Sequence, residues 1–187
     1  MAMKIVTGYT GTQHITPADD AGLYRSVFGE GDYVLAAGSW LKATIVSNTR
    51  IDIADGELVM QGRHARIDSG DRVFIYNGTQ GMYRNDLIVA RYTKDSTTSV
   101  ESISLVVIRG GATSGTAIDP EYNTGNIENG ETRDFPLYRV KINGTDIDTI
   151  ERLYTPLTTI SELEKETNKI PAIRTDLEHV KRKLGIT

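Results

Sequence analysis

The feature that most constrains this chain is a period-two alternation of apolar and polar residues from Asp32 to about Tyr154, cut at intervals by turn dipeptides. Successive side chains of a strand point to opposite faces, so such alternation specifies half-buried strands. Leu41, Ala43 and Ile45 alternate with Lys42 and Thr44, and Arg50-Ile51-Asp52-Ile53 alternates into the turn dipeptide Asp55-Gly56. Arg72 to Tyr76 ends in Asn77-Gly78, a pair that tolerates positive φ and predicts a hairpin. Asp86–Tyr92 and Ser102–Ile108 are apolar enough to be central strands, and Pro136–Ile142 alternates again before Asn143-Gly144. Strand-like runs without long helices between them predict a mainly β body, an antiparallel sandwich or barrel. Between Gly110 and Arg133 lies a long small-residue segment with Asp119-Pro120 and Asn129-Gly130. A loop of that length is expected to be either an interface or a surface loop.

The two ends follow a different grammar. Thr7-Gly8-Tyr9-Thr10-Gly11-Thr12 reads as an extended lead-in. Thr16-Pro17-Ala18-Asp19-Asp20 then predicts a helix start, with Thr16 as cap, Pro17 in the first turn and the aspartates at the positive end of the dipole. Leu23, Tyr24 and Val27 supply its apolar face and Gly29 its stop. After Tyr154, Ser161 and Glu164 make a capping-box pattern, with Thr158 and Thr159 as alternative caps. Leu163, Ile170, Leu177 and Leu184 recur every seven residues, with Ile173 and Val180 three residues after two of them. That is a coiled-coil seam with Leu at most a positions and Ile or Val at d, a choice that disfavours parallel dimers and points to trimers or tetramers. A competing register through Ile160, Thr167, Arg174 and Lys181 buries two charges and ranks lower. Glu166 occupies the first d position, and Pro171 either bends the helix or begins a second one. The bland alternative is an amphipathic helix lying back on the β body. The expected organisation is therefore a β domain over residues 1–155 and a helical oligomerisation segment over 156–187.

Chemistry is sought in vain. The chain has 187 residues and no cysteine, which excludes disulfides and thiolate metal sites. Its three histidines, His14, His64 and His179, show no metal-binding spacing and read as structural or solvated. No nucleophile elbow is present, and Ser39 and Ser69 beside glycines read as turn residues. The carboxylate pairs Asp19-Asp20, Glu30 with Asp32, Asp52 with Asp55 and Asp68 with Asp71 are each explained by a helix start or a turn. Asp68-Ser69-Gly70-Asp71 lacks the remaining ligands of a calcium loop, and Gly8, Gly11 and Gly29 do not form a phosphate loop. Tyr76, Tyr92 and Tyr138 are read as strand residues and Trp40 as core, although exposed aromatics on a β scaffold would suit a sugar. A net charge of −4 argues against nucleic-acid binding. Neither a signal peptide nor an apolar run of membrane-spanning length is recognised, so the expectation is a cytoplasmically made protein without membrane insertion. No enzyme activity, metal or cofactor is expected.

Several phrases resemble a group of proteins from tailed phages and prophages of Gram-positive bacteria. They are Met3–Tyr9, His14-Ile15-Thr16 with Asp19-Asp20, Gly31–Leu35, Val59–His64, Asn77–Gly81 and Arg84–Tyr92, within residues 1–154. Such proteins are generally assigned to the tail tip, baseplate or tail fibre. The resemblance implies a virion structural protein that assembles with other tail or baseplate proteins. Combined with the seam Leu163, Ile170, Ile173, Leu177, Val180 and Leu184, it implies a homotrimer that links or presents host-recognition parts. The rival expectation is a carbohydrate-binding module that contacts a glycan of the host surface itself.

Overall fold

The computed structural model describes residues 15–185, and the chain divides into two compact units, Met1–Pro156 and Leu157–Thr187. The lead-in over residues 7–12 and His14 lie outside the described residues. The first unit is mainly β, and its sheets are antiparallel. Helix α1 (Pro17–Phe28) is followed by β1 (Asp32–Gly38), β2 (Ala43–Ser47), β3 (Arg50–Ile53), β4 (Gly56–Met60), β5 (Arg63–Ile67) and β6 (Asp71–Phe74). Then come β7 (Tyr83–Lys94), β8 (Glu101–Ile108), a 3-10 turn at Ile127–Asn129, β9 (Arg133–Asn143) and β10 (Asp146–Arg152). Three sheets form, in the orders β1-β4-β5, β2-β3-β6 and β10-β9-β7-β8. All three feed one core, through Val34 and Met60, Ile51 and Val73, and Ile88, Tyr92 and Val140 respectively.

α1 begins as its sequence predicts. The Thr16 hydroxyl accepts from the Asp19 amide while the Asp19 carboxylate accepts from the Thr16 amide, so two orphan donors of the first turn are satisfied reciprocally. The buried face is not the predicted one. Leu23 and Val27 are more than half exposed, and Ala21 is the buried residue. Ala21 sits so close to the β4–β5 turn that a side chain at Gly62 would meet its carbonyl. That turn, Gln61-Gly62, has positive φ at both residues, as a two-residue hairpin requires.

Strand β7 is the centre of the body. Ile88, Ala90 and Tyr92 face the common core, while Leu87 and Val89 on the other face are also almost wholly buried. Burial on both faces explains its unbroken apolar run. β8 has a similar composition but is an edge strand, not the central strand its sequence predicts, and Leu105 to Ile108 are only half-buried. Its other neighbour is missing because the next 24 residues leave the sheet. In β9, Pro136 falls where the β7 pairing slips between Ile88 and Val89, so the absent N–H costs no regular ladder bond.

Two expected turns are crossovers between sheets. Asp55 follows a strand of one sheet and Gly56 opens a strand of another. Asn77-Gly78 likewise links β6 to β7, which do not pair. Gly78 is needed there for close approach, since an added Cβ would lie 1.9 Å from the Gly144 carbonyl oxygen. The crossover is bound by the Arg84 guanidinium, which donates to the carbonyls of Tyr76 (2.6 Å) and Asn77 (3.3 Å) and pairs with Asp86 through two bonds of 2.8 and 3.0 Å. Arg84 and Asp86 are essentially inaccessible, so each charge depends on the other. Asn143-Gly144, by contrast, does sit at a hairpin, that of β9 and β10.

Trp40 is the clearest reversal. It was expected in the core but is half exposed, and Leu41 is buried in its place. Both residues have positive φ, 60° and 57°, an uncommon conformation outside glycine. It is held from below by two tyrosines. The Tyr138 hydroxyl donates to the Leu41 carbonyl (3.0 Å), accepts from the Ala43 amide (3.1 Å) and meets the Tyr154 hydroxyl at 2.9 Å, and Tyr154 also bonds the Trp40 carbonyl. With both carbonyls turned inward, the indole is left outside.

Candidate functional site

In the second unit, α2 (Ile160–Thr167) is capped by Thr159 and Glu162, not by Ser161 and Glu164. α3 (Ile170–Leu184) begins with Pro171 in its first turn and ends at Gly185, whose φ of 67° provides the left-handed stop. Asn168 and Lys169 between them keep right-handed helical dihedrals, with ψ of −16° and −21°. Pro171 therefore falls in the first turn after a two-residue junction of right-handed backbone. Of the predicted seam, Leu163 lies on α2, and Ile170, Ile173, Leu177, Val180 and Leu184 lie on α3. All six are exposed, from 49% at Val180 to 66% at Leu184, and no residue of either helix is buried. His179 is exposed on α3.

The first unit contains a site that the sequence reading missed. Residues 110–132 are not a slack connector. The Gly110 amide donates to Asp86 (2.9 Å), and Thr113 exchanges two backbone bonds with Tyr83 (2.7 and 2.9 Å). Asp119 accepts from Asn85 (2.8 Å) and from two nitrogens of Arg139. Farther on, the Asn123 amide and side chain donate to Asp134 at 2.8 and 2.7 Å. Ile127 is buried, its amide donating to the Gln61 side chain at 2.8 Å. The bonds to Asn85, Arg139 and Asp134 hold the segment against the outer face of the four-stranded sheet, and Ile127 then reaches the common core.

Beneath residues 114–119 this arrangement leaves an open cleft of about 800 Å³, lined by Tyr83, Asn85, Ile118, Asp119, Arg139 and Lys141 among others. Alternation along β9 puts Arg139 and Lys141 on the same face, and Leu87 of β7 pairs with Arg139. The charges are mutually compensated. Arg139 also donates to Glu151 on β10 (2.7 Å), which in turn accepts from Lys141. The guanidinium beside Asp119 holds that carboxyl below the ordinary range, assisted by Asn85. Lys141 and then Arg139 do the same for Glu151. Burial pushes the nearby Asp134 carboxyl up, but Arg91 and the two Asn123 donors outweigh it and its value ends lower than usual.

The other sequence candidates do not converge. His64 bonds Glu57 (2.9 Å) and lies against the Tyr24 ring, and Asp68-Ser69-Gly70-Asp71 forms the bend between β5 and β6. Among the described residues no group of three or more His, Asp or Glu is placed to hold a metal ion. Tyr92 is fully buried beside Glu101. Burial, with Glu101 nearby, pushes its value up to about 12. No protein-family profile matches the chain, and no curated protein is similar to it. The cleft escaped sequence reading because Asn85, Asp119 and Arg139 are separated by 34 and 20 residues. The only signals were Asp119-Pro120 and the outward alternation of β9.

Proposed function

We propose that this protein is a non-enzymatic structural subunit of a phage virion, a tail or baseplate component that assembles as a homotrimer through its C-terminal helices. The observation that carries the reading is an a/d seam whose six residues are all about half or more exposed, in two helices that bury nothing of their own. Short helices are marginal alone in water, so a chain that maintains such a stripe gains most of its helical stability from a partner. Burying each Leu, Ile or Val of the seam is worth roughly 1.5–3 kcal/mol. Six per chain give enough to offset the cost of association. Leu163, Ile170, Leu177 and Leu184 occupy a, while Ile173 and Val180 occupy d, a distribution that favours three strands over two. The right-handed dihedrals at Asn168 and Lys169 support a coiled coil that continues, bent, from α2 into α3.

The shared core beneath the three sheets supports reading the body as a β-sandwich, a rigid module suited to contacts with other tail proteins. The phage assignment rests on the resemblance of the phrases between Met3 and Tyr92.

Sedimentation equilibrium tests the assembly. The full chain is expected at three times its monomer mass, and a chain ending at Pro156 at one. If both sediment as folded monomers, the helices do not assemble the protein. Mass spectrometry of purified virions tests the location: the chain is expected in the tail fraction, and its absence there removes the virion assignment.

A further inference from the structure

We infer that the cleft beneath residues 114–119 is a binding site for a neutral saccharide. The inference stands apart from the assembly reading, because every residue it uses belongs to the first unit. At about 800 Å³ the cleft lies within the size range of small-ligand sites. Its floor is built rather than incidental. Asn85 is 9% exposed on the most buried strand, and Asp119 is held by Asn85 and by Nε and Nη2 of Arg139. Groups fixed in this way do not have to be ordered when a ligand arrives.

The charge balance selects the class of ligand. The two cations of the cleft, Arg139 and Lys141, are already engaged by Asp119 and Glu151. Asp148 also lines the cleft, and the four charged residues of the lining, Asp119, Asp148, Arg139 and Lys141, sum to a formal charge of zero. A phosphate, sulfate or uronate would meet no unpaired cation here and would have to displace a carboxylate from its salt bridge. A metal ion would find Asp119 and Glu151 committed to arginine and lysine, with Asp148 alone left to bind it. A neutral molecule rich in hydroxyls meets neither obstacle. Oδ2 of Asp119 accepts from Arg139 and has capacity for a further donor, and the hydroxyls of Ser114 and Thr116 line the same cleft. Tyr83 is 45% exposed and Ile118 77% exposed, apolar surface of the kind against which the C–H face of a sugar ring packs. Fixed polar groups beside exposed aromatic and aliphatic surface match a pyranose, which has hydroxyls at its rim and an apolar face.

A glycan array carrying neutral and acidic oligosaccharides, probed with the full chain, tests this. Binding is expected on neutral glycans and not on sialylated, uronic or phosphorylated ones. Tyr83→Ala and Ile118→Ala are each expected to weaken the best neutral ligand at least tenfold in calorimetry. Both side chains are exposed, and an unchanged thermal midpoint for Ile118→Ala guards against loss through misfolding. Failure to bind any neutral glycan, preference for acidic ones, or binding that survives both substitutions would overturn the assignment. A trimer that binds no glycan removes this inference alone, and a monomer that binds at the cleft removes the assembly reading alone.

Discussion

Ile88 and Val140 in the body are completely buried, whereas Ile173 and Leu177 in the tail, residues of the same chemistry, are more than half exposed. The body also buries charge, with Arg84 closed on Asp86 and Asp134 closed on Arg91 and Asn123. The tail buries none, and its ion pairs, such as Lys169 with Glu166 and Lys181 with Glu178, are solvated pairs one helical turn apart. Such pairs are worth little. The difference teaches where each unit obtains its stability. The body satisfies its own groups internally, while the tail leaves its apolar stripe exposed.

The contrast breaks first at the buried ion pair. Asp86→Ala leaves Arg84 desolvated and uncompensated and deprives the Gly110 amide of its acceptor. It is expected to destabilise the body by about 3–5 kcal/mol in urea titration, with little change in the helical signal of the tail. Arg84→Met combined with Asp86→Leu is expected to recover part of that loss, since no unpaired charge remains.

Acid sharpens the same comparison. Asp134, Asp119 and Glu101 have lowered values in the folded body, so they contribute stability above their unfolded range, near pH 4. That contribution is lost as pH falls through the lowered folded values. Asp32 has the opposite sign: burial raises it despite Arg133, so its ionisation costs the folded state and acid relieves the cost. Asp52, Asp95 and Glu151 are lowered as well, so six lowered carboxylates against one raised give net loss below about pH 4. Thermal midpoints measured from pH 7 to pH 2 should fall in that window, and Asp134→Asn should flatten the fall.

The smallest effect belongs to the tail. Thr159→Ala removes the hydroxyl that accepts from the Glu162 amide and donates to the Glu162 carboxylate, leaving that carboxylate only the backbone N–H of residue 159. About 1 kcal/mol of helix stability is expected to be lost, read as a lower midpoint for the helical transition with the body's transition unmoved.

The local grammar of the chain was legible wherever one short-range interaction decides the outcome. Thr16 and Asp19 close a helix start by themselves, Asn143-Gly144 sits at a hairpin, and the apolar run of β7 requires burial on both faces. Where two local patterns looked alike, distant residues chose between them. Asn77-Gly78 has the chemistry of a hairpin but serves a crossover, because Arg84 binds the carbonyls before it and Gly144 approaches the glycine. Trp40 looked like core, yet the hydroxyls of Tyr138 and Tyr154, about a hundred residues away in sequence, capture the neighbouring carbonyls and turn Leu41 inward. β8 and β7 share an apolar composition, but only pairing order makes one an edge.

Sequence alone therefore determined that the body is mainly β and that two helices with an apolar seam follow it between residues 160 and 184, because side-chain periodicity and capping act within a few residues. The tertiary structure decided which turns join sheets, which aromatic stays outside, and that the segment after β8 roofs a cleft. Those outcomes depend on hydrogen bonds and close approaches between residues tens to a hundred positions apart, and no local pattern encodes them.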